Sequence, residues 1–417
     1  RRNHFIVFFW FFILATSYAL ERSTFKLLVD RSGPFRLFSV EMITCTHALL
    51  TGLGMFLSAF SRKDFKIQPL GIPVVDVGLM ALLDTVHLLL VFLTGYHVAP
   101  TLTVILVQFT LPLTALITQF VHSDGCVKRF CGATVVPVEI NTDDNGGMNL
   151  EGRSLPGAGG LSMEHIMGSI IIALAVLLAL CPALYSIWDP DFFVYADTIP
   201  IQTACNTMLF VSSCIPAAVS QLYKEHIFLQ YKQPVQADFL NLLLSVFQFV
   251  FASIMSPLVY TLLGLAATKD WPKLYPSSGF SQNFIDGFQC FMGTLDEDRA
   301  ENAYDDPADC SYSLILVVLH SFSIIAVGVA VDKIVNAGAT KVMFRGVSAG
   351  IIVSVVSLYI YDLRIPDFSY GPAIDSLNLV CVLLLVVGSE VYHRVSLQDA
   401  TFETVFPEIE NFYDDSG

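Results

Sequence analysis

The sequence predicts an all-α polytopic membrane protein: ten transmembrane helices arranged as two inverted five-helix repeats. Three observations predict it. Of 417 residues, 54% are hydrophobic and 14% charged, whereas soluble domains are about a quarter charged. Apolar runs long enough to cross a bilayer, about 20 residues each, recur from end to end. The runs divide into two sets of five, and an odd number of spans per set turns the second copy over in the membrane.

In chain order the predicted spans are 4–21, 37–60, 72–96, 100–122, 165–187, 197–221, 238–266, 312–331, 339–361 and 373–393. Turn chemistry separates them in "RSGPFR", "SRKDFK", "GYHVAP", "WDPDFF", "YKQPVQ" and "RIPDFSYGP". The first five-helix half is 1–196, with a Gly-rich polar loop over 123–164, and the second is 197–396, with an acidic loop over 267–311. An acidic tail, 397–417, follows. The start "RRNHFIVFFW" has no Met and reads as a trimmed segment; lacking a small-residue cleavage site, it reads as a span rather than a signal peptide. The two halves share a pattern. "ERSTFKLLVDRSGPFRLF" (21–38) and "YKEHIFLQYKQPVQADFL" (223–240) are each a basic helix end, a short polar turn and a new apolar helix.

The formal net charge of −15 argues against a nucleic-acid partner, which needs clustered Lys and Arg. Lys and Arg on alternate sides of the predicted spans number thirteen against eight, which places both termini in the cytosol and the acidic loop on the lumenal side. Arg22, Lys26, Arg31 and Arg36 count toward the outer side, and Lys224 and Lys341 toward the cytosolic side.

Ionisable residues within spans are expensive and usually functional. Asp84 and His87 lie three apart in "LMALLDTVHLLLVFLTG" and share a helix face. Either they satisfy each other and lock a helix interface, or they line a water-filled path and exchange protons. Glu41 and His47 lie in span two, Glu41 toward the membrane surface. Gln108 precedes Pro112 in "VQFTLPLT", where proline removes a backbone donor and can kink the helix toward a cavity. Pro216 and Pro257 offer the same in spans six and seven. Asn241, Ser245 and Gln248 form one stripe of span seven, suited to a cavity wall or to interhelix hydrogen bonds. Arg345 follows Lys341 by a turn in span nine and is placed deeper in the bilayer.

No Walker A loop, GxSxG or HExxH occurs, so neither ATP use nor a soluble-enzyme mechanism is expected, and no cofactor or metal is assigned. Cys126 and Cys131 in "CVKRFC" lack a second pair with zinc spacing. Cys290 and Cys310 flank the acidic loop on the predicted lumenal side, where oxidation favours a disulfide.

The stretches "CIPAAVSQLYKEHIF", "FLNLLLSVFQFVFASIMSPL", "LLDTVHLLLVFLTG" and "LVQFTLPLTALIT" together resemble the chloroquine resistance transporter-like family of the drug/metabolite transporter superfamily. That resemblance implies ten helices in two inverted halves, cytosolic termini and a central cavity open to an acidic, lysosome-like compartment such as a digestive vacuole. It implies proton-linked export of cationic drugs such as chloroquine, amino acids or peptides; plant relatives are similar to thiol or glutathione carriers. By position, Asp84 looks like the family's acidic residue on the third helix and Gln108 like the Gln before the fourth-helix proline. Asn241 and Gln248 match the seventh-helix pattern, and Arg22 falls on the cavity-facing position of the first helix. Cys290 and Cys310 match the outer cysteine pair of the lumenal loop. The inner cysteine pair is absent, the loop 123–164 is long, and Lys341 and Arg345 add positive charge to helix nine; these departures point toward anionic or zwitterionic cargo.

The expected function is a proton-coupled carrier, not an enzyme, working by alternating access in a vacuolar membrane, with small solutes, protons and the lipid bilayer as partners. The substrate or proton pathway is assigned to Asp84, His87, Gln108, Asn241, Ser245, Gln248, Arg345, Arg22 and Glu41. The alternatives are a thiol or glutathione carrier of the same fold, and a receptor or scaffold using the acidic loop. An intramembrane enzyme would need a catalytic group facing Asp84 and His87.

Overall fold

The computed structural model describes residues 2–61, 71–123, 163–185, 187, 200–230, 237–266, 279–295, 310–337, 339–364 and 372–393. The predicted loop 123–164, except for its ends, most of the acidic loop 267–311, the tail 397–417, Cys126 and Cys131 lie outside them. Among the described residues there are helices and turns and no strand.

Helix α1 (Arg2–Ser32) runs eleven residues past the predicted end at 21, because no breaker occurs before "SGPF". There Gly33 takes φ +48°, a left-handed conformation open to glycine, and Pro34 opens a 3-10 turn, Gly33–Phe35, into α2 (Arg36–Ser61). α3 is Val74–Thr94. The predicted fourth span is two helices, α4 (Pro100–Val107) and α5 (Thr110–Ser123). α6 is Met163–Tyr185. The sixth is also double, α7 (Pro200–Ser212) and α8 (Cys214–Gln230). α9 (Ala237–Ala266) passes unbroken through Pro257. α10 (Phe280–Met292) lies in the acidic-loop region, followed by α11 (Ser313–Asn336), α12 (Thr340–Arg364) and α13 (Pro372–Tyr392).

Eight stretches of described residues are long and apolar enough to cross a membrane, where the sequence predicts ten. The first, Phe5–Phe60, spans 56 residues and holds both α1 and α2, because helical structure runs on through the 3-10 turn between them. In the last span, Leu377–Tyr392 is a shorter apolar helix. The apolar helices fit an integral membrane protein.

The extension of α1 corrects the charge reading. Lys26, counted as an outer-side charge, is 1% exposed within α1. Its Nζ donates to the carbonyls of Gly95 and Val98 at 3.0 and 2.8 Å and lies 2.7 Å from Asp30 Oδ1. Arg36, also buried, places its guanidinium 4.1 Å from the ring centre of Tyr96. These cations therefore pin α1 and α2 to the α3–α4 connection rather than face solvent.

Helix contacts link the first five predicted spans to the last five. α1 packs on α11 and α12, while α7–α8, its counterpart by order, packs on α3 and on α4–α5. α2 meets α9, and α6 meets α13. α3 packs on α9, as α11 does on α2. The α6–α13 contact depends on Gly168: a Cβ there would sit 2.5 Å from the Tyr392 backbone nitrogen.

Candidate functional site

Proline sets the site. Pro112 and Pro216 each lack the N–H that would bond the carbonyl four residues earlier, that of Gln108 and of Ser212. The helices break there: Gln108 and Phe109 form a turn between α4 and α5, and Ser213 a turn between α7 and α8. The two breaks meet. Cys214 Sγ approaches the carbonyl oxygens of Leu106 at 3.5 Å and Val107 at 4.0 Å. Main-chain groups at a break inside an apolar bundle need partners: the Gln108 carbonyl accepts from Leu111 N–H at 3.2 Å, and a side chain of α3 reaches the Ser213 carbonyl.

From α3, His87 Nδ1 lies 2.8 Å from the Ser213 carbonyl, so this nitrogen carries the proton and donates. One turn away, midway along α3, Asp84 collects three donors. Ser220 Oγ reaches Oδ1 at 2.6 Å, Lys224 Nζ reaches Oδ2 at 2.7 Å, and Gln248 Nε2 reaches Oδ2 at 3.2 Å. The Asp84 and Lys224 side chains are 23% and 28% exposed. A second bond between α3 and α8, Tyr223 Oη to Asp76 Oδ1 at 2.7 Å, flanks this cluster.

From α1, Tyr18 Oη accepts from Gln108 Nε2 at 2.9 Å. Arg22 lies over the Tyr18 ring, 5.2 Å from its centre, with Nε 2.9 Å from Glu21 Oε2. His320 of α11 is buried against the same segment, its Nδ1 3.1 Å from Thr24 Oγ1 and 3.2 Å from the Glu21 carbonyl. The result is a band of ionisable and amide side chains from α1, α3, α8, α9 and α11 around two broken helices.

The expected residues are distributed unevenly. Asp84 and His87 do share a face, toward α7–α8, but each takes its own partners rather than the other. Gln108, Arg22 and Gln248 join the band. Glu41 is buried on α2. Ser245 gives its hydroxyl to the Asn241 carbonyl on its own helix at 2.7 Å, and Asn241 is exposed, so two of the three stripe residues stay outside the cluster. Arg345 is a further correction: it is 65% exposed and meets Glu390 of α13, also mostly exposed, at 3.2 Å, instead of entering the band. Nothing is described of the Lys341 side chain.

Sequence reasoning missed Lys224, Ser220 and His320. Lys224 was assigned to a cytosolic connection because the sixth span was ended at 221, whereas α8 continues to Gln230. The four-residue spacing of Ser220 and Lys224 within a helix was the available signal.

At the far end of the bundle, Cys290 and Cys310 are joined by a disulfide. It ties α10 beside the α1–α2 corner, where Asn283 Nδ2 donates to the Pro34 carbonyl at 3.2 Å and Phe38 packs edge-on to Phe284.

None of the curated proteins compared with this sequence matches it. One solved structure, described only as a crystal structure of a protein, is similar over 91% of this chain and 96% of its own at 13% identity and a TM-score of 0.39. Residues 160–392 match the model of the CRT-like, chloroquine-resistance transporter-like family. That match spans more than half of the 417 residues and includes α6–α13, with Ser220, Lys224, Gln248 and His320 of the band, so the chain belongs to the chloroquine-resistance transporter-like family.

Proposed function

We propose that the protein is a secondary active carrier that exports small solutes from an acidic vacuole to the cytosol, coupled to protons, by alternating access. Its ten spans form two inverted five-helix halves with cytosolic termini. The observation that carries the reading is the meeting of two broken helices, one from each half, beside buried ionisable side chains. Carriers built from inverted repeats place their sites at such discontinuous helices. The contacts between the two sets of spans, α1 on α11 and α12 against α7–α8 on α3 and α4–α5, support the inverted pairing. A receptor or scaffold has no use for this construction, and an enzyme would need a reactive group facing Asp84, which instead faces hydrogen-bond donors.

In this reading Asp84, Lys224, Ser220 and Gln248 form the latch that closes one side of the solute path. Opening that side separates α3 from α8, and Asp84 and Lys224 then face the solute. A charge pair offered together suits a solute carrying both signs. Because Lys224 answers the Asp84 charge and Arg22 adds a cation, amino acids, peptides and thiol peptides such as glutathione fit better than simple cations. Cationic drugs such as chloroquine remain the alternative cargo.

The test is uptake by the full chain in proteoliposomes under a pH gradient, with labelled arginine, glutathione and chloroquine as probes. Gradient-dependent uptake of arginine or glutathione exceeding that of chloroquine is the expected result. Equal leakage of all three, with or without protein, contradicts the carrier.

A further inference from the structure

Two histidines bracket the α1 segment that carries Glu21 and Arg22. His87 lies seven residues before the end of α3 and His320 seven residues after the start of α11, about 10 Å along each helix. These two ends lie on the same side of the bundle. The C-terminal turns of α1 touch both, through Lys26 to the Gly95 and Val98 carbonyls and through Arg31 Nη1 to the Ser311 carbonyl at 3.3 Å. The histidines therefore stand at like depth, one on each half.

Both rings are held in the same tautomer. His87 Nδ1–H donates to the Ser213 carbonyl. For His320, Thr24 Oγ1 already gives its hydrogen to the Leu20 carbonyl at 2.7 Å, and the Glu21 oxygen is a carbonyl; both can only accept, so Nδ1 again carries the hydrogen. In each ring Nε2 is left as the basic nitrogen. The neighbouring charges are shared: the Glu21–Arg22 pair lies beside His320, whose Nδ1 meets the Glu21 carbonyl at 3.2 Å, and the same pair acts electrostatically on His87. His87 also faces Asp84 on its own helix, and His320 faces His47 of α2. Of the other elements packed on α11, α10 presents Asp286, which accepts from Gln282 at 2.7 Å, and α12 presents Arg345, which is paired with Glu390.

We propose that the transported protons are held on Nε2 of His87 and of His320, with Glu21 and Arg22 as the charges common to both. This rests on the carrier reading above and names the coupling group within it. An N–H bond forms at Nε2 when the ring takes a proton from the acidic side and breaks when the proton leaves to the other. Protonating one ring adds a positive charge that the other senses through Glu21 and Arg22, so the two titrations belong to the pair. Asp84, neutralised by Lys224, is then a latch rather than the proton carrier.

A ligand-free measurement tests the pair: histidine NMR of the full chain in nanodiscs, with His87→Gln and His320→Gln used to assign the two rings. Both rings are expected to change protonation state within the pH range that drives uptake. In the wild type each curve should be broader than that of a single site, and in His320→Gln the His87 midpoint should move by about half a pH unit or more. A ring that stays in one state throughout, or a His87 curve unchanged by His320→Gln, overturns the proposal. A second arm compares labelled arginine accumulation with and without a one-unit gradient, which is worth about tenfold per coupled proton. His320→Gln is expected to lose one such tenfold factor, the share of its own proton, and an unchanged ratio also overturns the proposal. If the wild type moves no probe while the rings titrate together, the carrier reading fails and the paired proton site stands.

Discussion

Asp84–Lys224 and Arg345–Glu390 are both ion pairs between helices, and the sequence marks Asp84 and Arg345 alike as charges inside apolar runs. Their surroundings separate them. Asp84 holds Lys224 at 2.7 Å with two further donors and about a quarter of each side chain exposed. Arg345 and Glu390 meet at 3.2 Å with more than half of each exposed. A charge enclosed in the bundle must be answered in place, whereas an open pair near helix ends, as Arg345 near the start of α12 and Glu390 in the last turn of α13 are, is loosely held. The comparison teaches that apolar flanks alone do not make a functional charge; convergence of partners from several helices does.

The strongest way to sharpen the contrast is Lys26, the most enclosed cation among the described residues. Lys26→Met takes the buried cation away from Asp30 and from the carbonyls of Gly95 and Val98, and should destabilise the protein by about 3–5 kcal/mol. Thermal unfolding in detergent measures it, and Asp30→Asn in the same chain should restore part of the loss. Lys224→Met should cost less, about 2 kcal/mol, because its pair is partly exposed. It should also abolish gradient-driven arginine uptake, and full uptake would remove Lys224 from the latch.

Asp84→Asn keeps the shape and removes the charge that holds Lys224. Uptake should slow about tenfold, equivalent to about 1.4 kcal/mol, while the ratio of uptake with and without a gradient persists. Loss of that ratio at unchanged equal-pH uptake would move the proton from the histidines to Asp84. The smallest effect is expected from Arg345→Gln: less than about 0.5 kcal/mol in stability, vanishing at high salt, and uptake within about twofold of wild type. A larger loss would break the comparison, by showing that the exposed pair matters as much as the enclosed one.

Much of the bundle was legible because hydrophobic length is a local property. The apolar runs gave the helices, and Pro112 and Pro216 marked breaks, although proline alone does not decide one, since α9 runs unbroken through Pro257. Asp84, His87, Gln108 and Gln248 stood out as polar residues in greasy runs. Their partners were not readable, since Lys224 lies 140 residues from Asp84 and the Glu21 carbonyl 299 residues from His320. His320 escaped notice in "LHSFS", and Lys224 looked like a connection charge because hydropathy falls before α8 ends. The Asn241–Ser245–Gln248 stripe had correct helical spacing, yet a hydroxyl can satisfy itself on its own backbone, as Ser245 does. The same locality misled the reading of α1: a basic stretch normally announces a loop, but three backbone carbonyls and Asp30 make room for a buried lysine.

The central claim, that solute and protons move together through this band, is tested most directly by recording solute entry and internal pH in the same proteoliposomes. With the acidic side on the predicted lumenal face, the account predicts that labelled arginine or glutathione accumulates above its external concentration while protons enter with it, and that Lys224→Met abolishes both. Solute that only equilibrates, with internal pH unmoved by its entry, would contradict the account.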